Sequence, residues 1–85
     1  MLEVDIVDTK GPVWSGPATR VVAPVGGGEI GVLTGHTPVL SVIRPGDVRV
    51  LEPQSSVPLR WHVTHGFFSV DSDQVTIVVD EATEV

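Results

Sequence analysis

The 85 residues contain no cysteine. That excludes a disulfide framework and a thiolate zinc site, so apolar packing alone must hold the domain together, and it suits a reducing compartment. No apolar run approaches the roughly 20 residues that span a bilayer. Met1-Leu2-Glu3-Val4-Asp5 carries acids where a secretory signal carries a basic segment. A cytoplasmic, soluble chain is expected. Positive charge is scarce: five Lys and Arg stand against 11 Asp and Glu, for a formal charge of −6. Such a balance repels nucleic-acid phosphates and anionic headgroups. Lys10, Arg20, Arg44, Arg49 and Arg60 are also spaced singly along the chain, with no run that tracks a phosphate backbone. The expected partners are therefore proteins, with no nucleic acid and no small-molecule ligand.

What is present is a core-forming composition, 41% hydrophobic and only 19% charged. One domain of this size buries only about 60% of its unfolded surface on folding and has little stability to spare. β-Branched segments recur at short intervals, each closed by Gly, Pro or Asp, which is the pattern of an all-β fold. Leu2, Val4 and Ile6 alternate with Glu3 and Asp5, and Lys10-Gly11-Pro12 turns the chain into Val13-Trp14-Ser15-Gly16. Strands follow over Arg20 to Val25, Ile30 to Leu33 and Val39 to Ile43. Arg44-Pro45-Gly46-Asp47 has the proline and glycine placement of a type II turn and predicts a hairpin into Asp47 to Glu52.

Leu59 to Val63 precedes a last hairpin, Gly66 to Val70 and Gln74 to Val79, turning at Asp71-Ser72-Asp73. About eight to ten short strands are too many for one flat sheet, so a two-layer β-sandwich is expected. Its core is expected to collect Val4, Ile6, Trp14, Val22, Ile30, Val32, Leu40, Val48, Val50, Trp61, Phe67, Val75 and Ile77. The sandwich should occupy residues 1–80, and the acidic segment 81–85, which lacks a packing stripe, should fray.

Motifs for chemistry are weak. Gly26-Gly27-Gly28-Glu29-Ile30-Gly31 satisfies the dinucleotide fingerprint in form, yet that motif must open a helix, and Gly31, Gly35 and Pro38 leave no helical segment behind it. His62 and His65 fall at an odd spacing in an extended region, which sends them to opposite faces. Asp71-Ser72-Asp73 begins like a calcium loop, but Thr76 and Ala82 stand where glycine and glutamate are needed. Neither a nucleophile elbow nor a catalytic cysteine occurs. No catalytic residue, metal ligand or cofactor is assigned.

Read continuously, residues 28 to 50 carry Gly28-Glu29-Ile30-Gly31, then Gly35-His36-Thr37-Pro38, then Pro45-Gly46-Asp47-Val48-Arg49-Val50. This ungapped stretch resembles the hallmark of the ATP synthase epsilon family. Val13-Trp14-Ser15-Gly16 and the closing hairpin are similar to that family as well, so the resemblance covers nearly the whole chain. It departs in His65, where the family usually has glycine, and in the triple glycine before Glu29.

The resemblance implies a non-catalytic rotor subunit of the central stalk, linking the gamma subunit to the c-ring and coupling proton translocation to ATP synthesis. It also implies a peripheral position at the cytoplasmic face of a bacterial membrane, reached only through the complex. By position in the family pattern, Gly28, Glu29 and Ile30 would face the c-ring, and Asp8, His36 and Ser41 would lie near gamma. The family usually continues into two helices that can inhibit hydrolysis and in some members bind ATP; without them, no ATP binding is expected. A competing reading makes Trp14, Trp61, Phe67 and Phe68 a stacking platform of a stand-alone module for a small ligand or carbohydrate.

Overall fold

The computed structural model describes residues 1–85 and consists of ten strands without a helix. They are β1 (Leu2–Asp8), β2 (Gly11–Ala18), β3 (Arg20–Val25), β4 (Gly28–Leu33), β5 (Val39–Ile43), β6 (Gly46–Leu51), β7 (Leu59–Val63), β8 (Gly66–Asp71), β9 (Gln74–Val79) and β10 (Ala82–Glu84). Hydrogen bonds join them in the order β10-β7-β6-β3-β5-β8-β9-β1-β2, with β4 on the other side of β3. All pairs are antiparallel except β1 with β9. The sheet folds over where Val25 meets Ile43, the single pair between β3 and β5. One layer is thus β4-β3-β6-β7-β10 and the other β5-β8-β9-β1-β2, which is the expected two-layer all-β sandwich.

Alternation along the strands fills the space between the layers. Seventeen buried apolar residues form one cluster drawn from both, and no polar or charged residue is buried. Across the second layer, register aligns Ser41, Phe68, Ile77, Ile6 and Trp14 on the inward face. Trp14 then reaches Trp61 of the opposite layer, with ring centroids 5.8 Å apart and planes tilted by 48°. Nine of the thirteen expected core residues are buried, and Trp14 and Ile30 pack against the cluster half-buried.

Leu40 and Phe67 are corrections, being 74% and 58% exposed. Both are strongly apolar, yet each stands one residue out of phase with an inward neighbour. Phe68, fully buried, takes the core place in β8, and Val39 and Ile43 take those of β5.

The expected hairpin over Arg44 to Asp47 does not form. β5 pairs with β8, β6 pairs with β3 and β7, and the segment between them crosses from one layer to the other. Gly46 is not among the glycines with positive φ. Its role is close approach: a Cβ there would lie 2.9 Å from the Pro24 ring. Pro24 is tolerated inside β3 because β6 pairs no further along it than Val22, while its carbonyl still accepts from the Arg44 N–H at 3.2 Å.

Residues 82–84, expected to fray, instead pair with β7, and the Val85 N–H donates to the Arg60 carbonyl at 3.0 Å. Backbone pairing at a sheet edge needs no apolar stripe. The β8–β9 hairpin does turn at Ser72 and Asp73, whose φ values of 51° and 65° are those of a type I′ turn.

The two adjacent phenylalanines separate core from surface energetically. Phe68→Ala should cost about 3–5 kcal/mol of unfolding free energy, whereas Phe67→Ala should cost less than about 1 kcal/mol. Urea unfolding followed by tryptophan fluorescence measures both, and similar losses for the two variants would contradict this inward and outward assignment.

Candidate interaction surfaces

Val25-Gly26-Gly27-Gly28 closes the β3–β4 hairpin, with Gly27 and Gly28 at φ of 89° and 154°, values that side chains rarely adopt. The triple glycine is therefore a tight inter-strand turn followed by a strand, and no helix N-terminus is available to receive a pyrophosphate. Beside this turn, Gly28 and Glu29 lie at the surface, while Ile30 turns inward and packs against the core half-buried. The Arg49 guanidinium, reaching across from β6, donates to Glu29 Oε1 at 3.0 Å. Glu29 remains 47% exposed and Arg49 34%. The pair holds the carboxylate at the hairpin tip without withdrawing it from solvent.

Asp8, His36 and Ser41 are not brought together. Asp8 ends β1 and accepts the Lys10 N–H at 2.8 Å, capping the turn into β2. Ser41 shares the inward side of β5 with Val39 and Ile43, opposite Phe68. Three strand spacings separate β5 from β1, about 14 Å. His36 sits at the other end of that layer, half-buried, with Nδ1 donating to the Thr37 carbonyl at 2.7 Å. Its loop is tied to the β8–β9 turn, because Asp73 Oδ1 accepts the Gly35 N–H at 2.7 Å. The acidic turn that resembles a calcium loop is thus a tether for the loop before β5.

A surface that the motifs do not mark lies on the outward side of the same layer. Register aligns Val42 of β5, Phe67 of β8, Val78 of β9, Val7 of β1 and Pro12 of β2 in one row across all five strands. Val42, Phe67 and Val78 are exposed, and Leu40 extends the patch along β5. Asp8 lies at its border, in a shallow recess with Thr9, Phe67, Val78 and Asp80. A contiguous apolar band on a sheet face marks a place where another molecule docks. The signal in the sequence is that Val39 to Ile43 and Phe67-Phe68 are apolar at both parities, whereas a half-solvated strand alternates.

No stacking platform assembles from the aromatic residues. Trp61 and Phe68 are buried and Trp14 covers the core, which leaves Phe67 alone on the surface. The carbohydrate or small-ligand reading loses its binding face.

A β-sandwich with an apolar core, a carboxylate on a braced hairpin and an exposed apolar band has the form of a scaffold for protein contacts. A family model described as the ATP synthase delta/epsilon chain, beta-sandwich domain, matches residues 1–85. The chain belongs to that family. It is 42% identical over 82 residues to the ATP synthase epsilon chain of Nitrosospira multiformis, covering 96% of this chain and 58% of that one. It is also 42% identical over 81 residues to the epsilon chain of Micrococcus luteus, covering 95% of this chain and 88% of the relative. Among solved structures, a chain of the Euglena gracilis mitochondrial ATP synthase in its assembly of OSCP, F1 and c-ring superposes with a TM-score of 0.90. That match is 21% identical and covers 98% of this chain and 52% of that one. A chain of the Tetrahymena thermophila central stalk and c-ring superposes with a TM-score of 0.79 at 16% identity, covering 95% of this chain and 64% of that one. At such identities these two likenesses speak for the fold.

Exposed ion pairs contribute little, about 0–1 kcal/mol. Glu29→Gln should accordingly leave the urea midpoint almost unmoved, a loss of less than about 1 kcal/mol. A larger loss would show that the pair with Arg49 builds the fold rather than positioning the carboxylate.

Proposed function

We propose that the chain is the β-sandwich foot of an ATP synthase rotor, seated between the gamma shaft and the c-ring, and that it transmits torque while performing no chemistry. The observation that carries this reading is the family match over all 85 residues. The physics agrees with it. A joint under torque needs a stiff body and specific surfaces, and here an apolar interior supplies the first while loops and one sheet face supply the second.

In this reading the hairpin tip of Gly28, Glu29 and Ile30 meets the c-ring. Glu29 supplies an acid for basic or amide groups on the ring's polar loops, and Ile30 acts by anchoring the tip to the core. Gamma docks on the layer β5-β8-β9-β1-β2. The apolar row of Val42, Phe67 and Val78 supplies most of the area, Asp8 and His36 flank it at opposite ends, and Ser41, on the inner side of β5 opposite Phe68, acts only by helping to seat that strand. Coupling of proton translocation to ATP synthesis, and a peripheral place at the cytoplasmic membrane face, follow from membership of the complex. Catalysis by the chain itself is not part of the proposal. Every ionisable side chain lies at the surface, none in the water-excluded cleft that tunes an acid or base.

Reconstitution with purified gamma and c-ring tests both surfaces. Phe67→Ser should weaken gamma binding by about tenfold or more, as loss of a central aromatic anchor does. Glu29→Arg should weaken association with the c-ring, more at low salt than at high salt, and leave gamma binding intact. Wild-type affinity for gamma in the first variant, with the circular dichroism of both unchanged, would remove the apolar row from the proposal.

A further inference from the structure

The outward face of the other layer gathers charge that is dispersed in the sequence. Register sets Val22 opposite Arg49 and Arg20 opposite Leu51 between β3 and β6, and Arg49 opposite Arg60 between β6 and β7. Three of the chain's five cationic side chains thereby become neighbours on one face, in a protein of net charge −6. Like charges facing one another across strands are unfavourable unless compensated. Glu29 engages Arg49 at 3.0 Å, and Asp47 lies 4.0 Å from Arg60 and 3.0 Å from His62. Arg20 has no carboxylate within ion-pair distance, although 11 acids are available in the chain.

Arg20 and Arg49 stand diagonally across a recess of about 340 Å³, whose other lining residues are Val22, Leu51, Ser56 and Pro58. Val22 and Leu51 form its apolar floor between the guanidiniums, and Ser56 and Pro58 close one side from the segment that joins β6 to β7. We propose that this recess binds a small phosphomonoester. A planar carboxylate is satisfied by one guanidinium fork. Two guanidiniums at opposite corners, with Ser56 on one wall, instead suit a tetrahedral group that offers several oxygens in different directions. The recess lies at the small end of the roughly 300–1,000 Å³ range of ligand pockets, so the ligand is a phosphate on a short body rather than a nucleotide. Val22, Leu51 and Pro58 would support that body. Glu29 competes for Arg49, so its pair with Arg49 sets how much positive charge the recess presents.

Titration of the isotope-labelled 85-residue chain with glycerol 3-phosphate tests this without any other subunit, so the outcome is independent of the rotor reading. Saturable amide shifts are expected at Arg20, Val22, Leu51 and Ser56. Sodium chloride at matched ionic strength should produce none of them, and sodium acetate should bind more weakly. Arg20→Gln should reduce the affinity about tenfold or more, the scale of a lost charge-assisted contact. Glu29→Gln, which releases Arg49, should raise it. Shifts that follow ionic strength alone, acetate binding as tight as the phosphomonoester, or affinity unchanged in Arg20→Gln would each overturn the assignment. Spectral dispersion of the variants reports in the same experiment that they are folded.

Discussion

Phe68 points inward, and the strand register that holds it there governs the rest of the molecule. Because side chains alternate, a slip of one residue in β8 would exchange Phe68 for Phe67 and turn every other β8 side chain to the opposite face with them. As paired, Ser41, Phe68, Ile77, Ile6 and Trp14 line the interior, and the adjacent row of Val42, Phe67, Val78, Val7 and Pro12 lines the outside. Both rows are mainly apolar. One is consumed by the core, where Trp14 meets Trp61, and the other is left facing solvent.

That arrangement accounts for how a domain without cysteine or a buried polar or charged residue holds together on apolar packing. Close packing of branched side chains leaves little room for the interior to deform. With no charged side chain buried, the ionisable groups all lie on the rim and faces. The β3–β4 hairpin shows the principle at small scale. Ile30 and Val32 anchor it below, glycines close its tip, and Arg49 braces the Glu29 carboxylate that it presents.

Much of this was legible from local signals. Alternation in Leu2 to Ile6 and the Asp71-Ser72-Asp73 turn mark elements that form as read, because their causes lie within a few residues. The stretch from Gly28 to Val50 also carried the family resemblance. Pro45-Gly46 misleads for the opposite reason. Its turn chemistry is local, but whether β5 and β6 pair depends on β3 and β8, which are distant in the chain. The acidic end misleads likewise, since β7 offers a backbone edge that no pattern in residues 81–85 reveals.

The sequence by itself determined the all-β class, a count of about eight to ten short strands and the family, since these follow from composition, alternation and an ungapped motif. Only the tertiary structure decided that Phe67 and Leu40 face solvent, that Asp8, His36 and Ser41 lie apart, and that Arg20, Arg49 and Arg60 share a face. The reason is physical. Alternation specifies two faces for each strand, but which strands become neighbours, and in what register, is settled by long-range pairing and by the common need to exclude water from a single core.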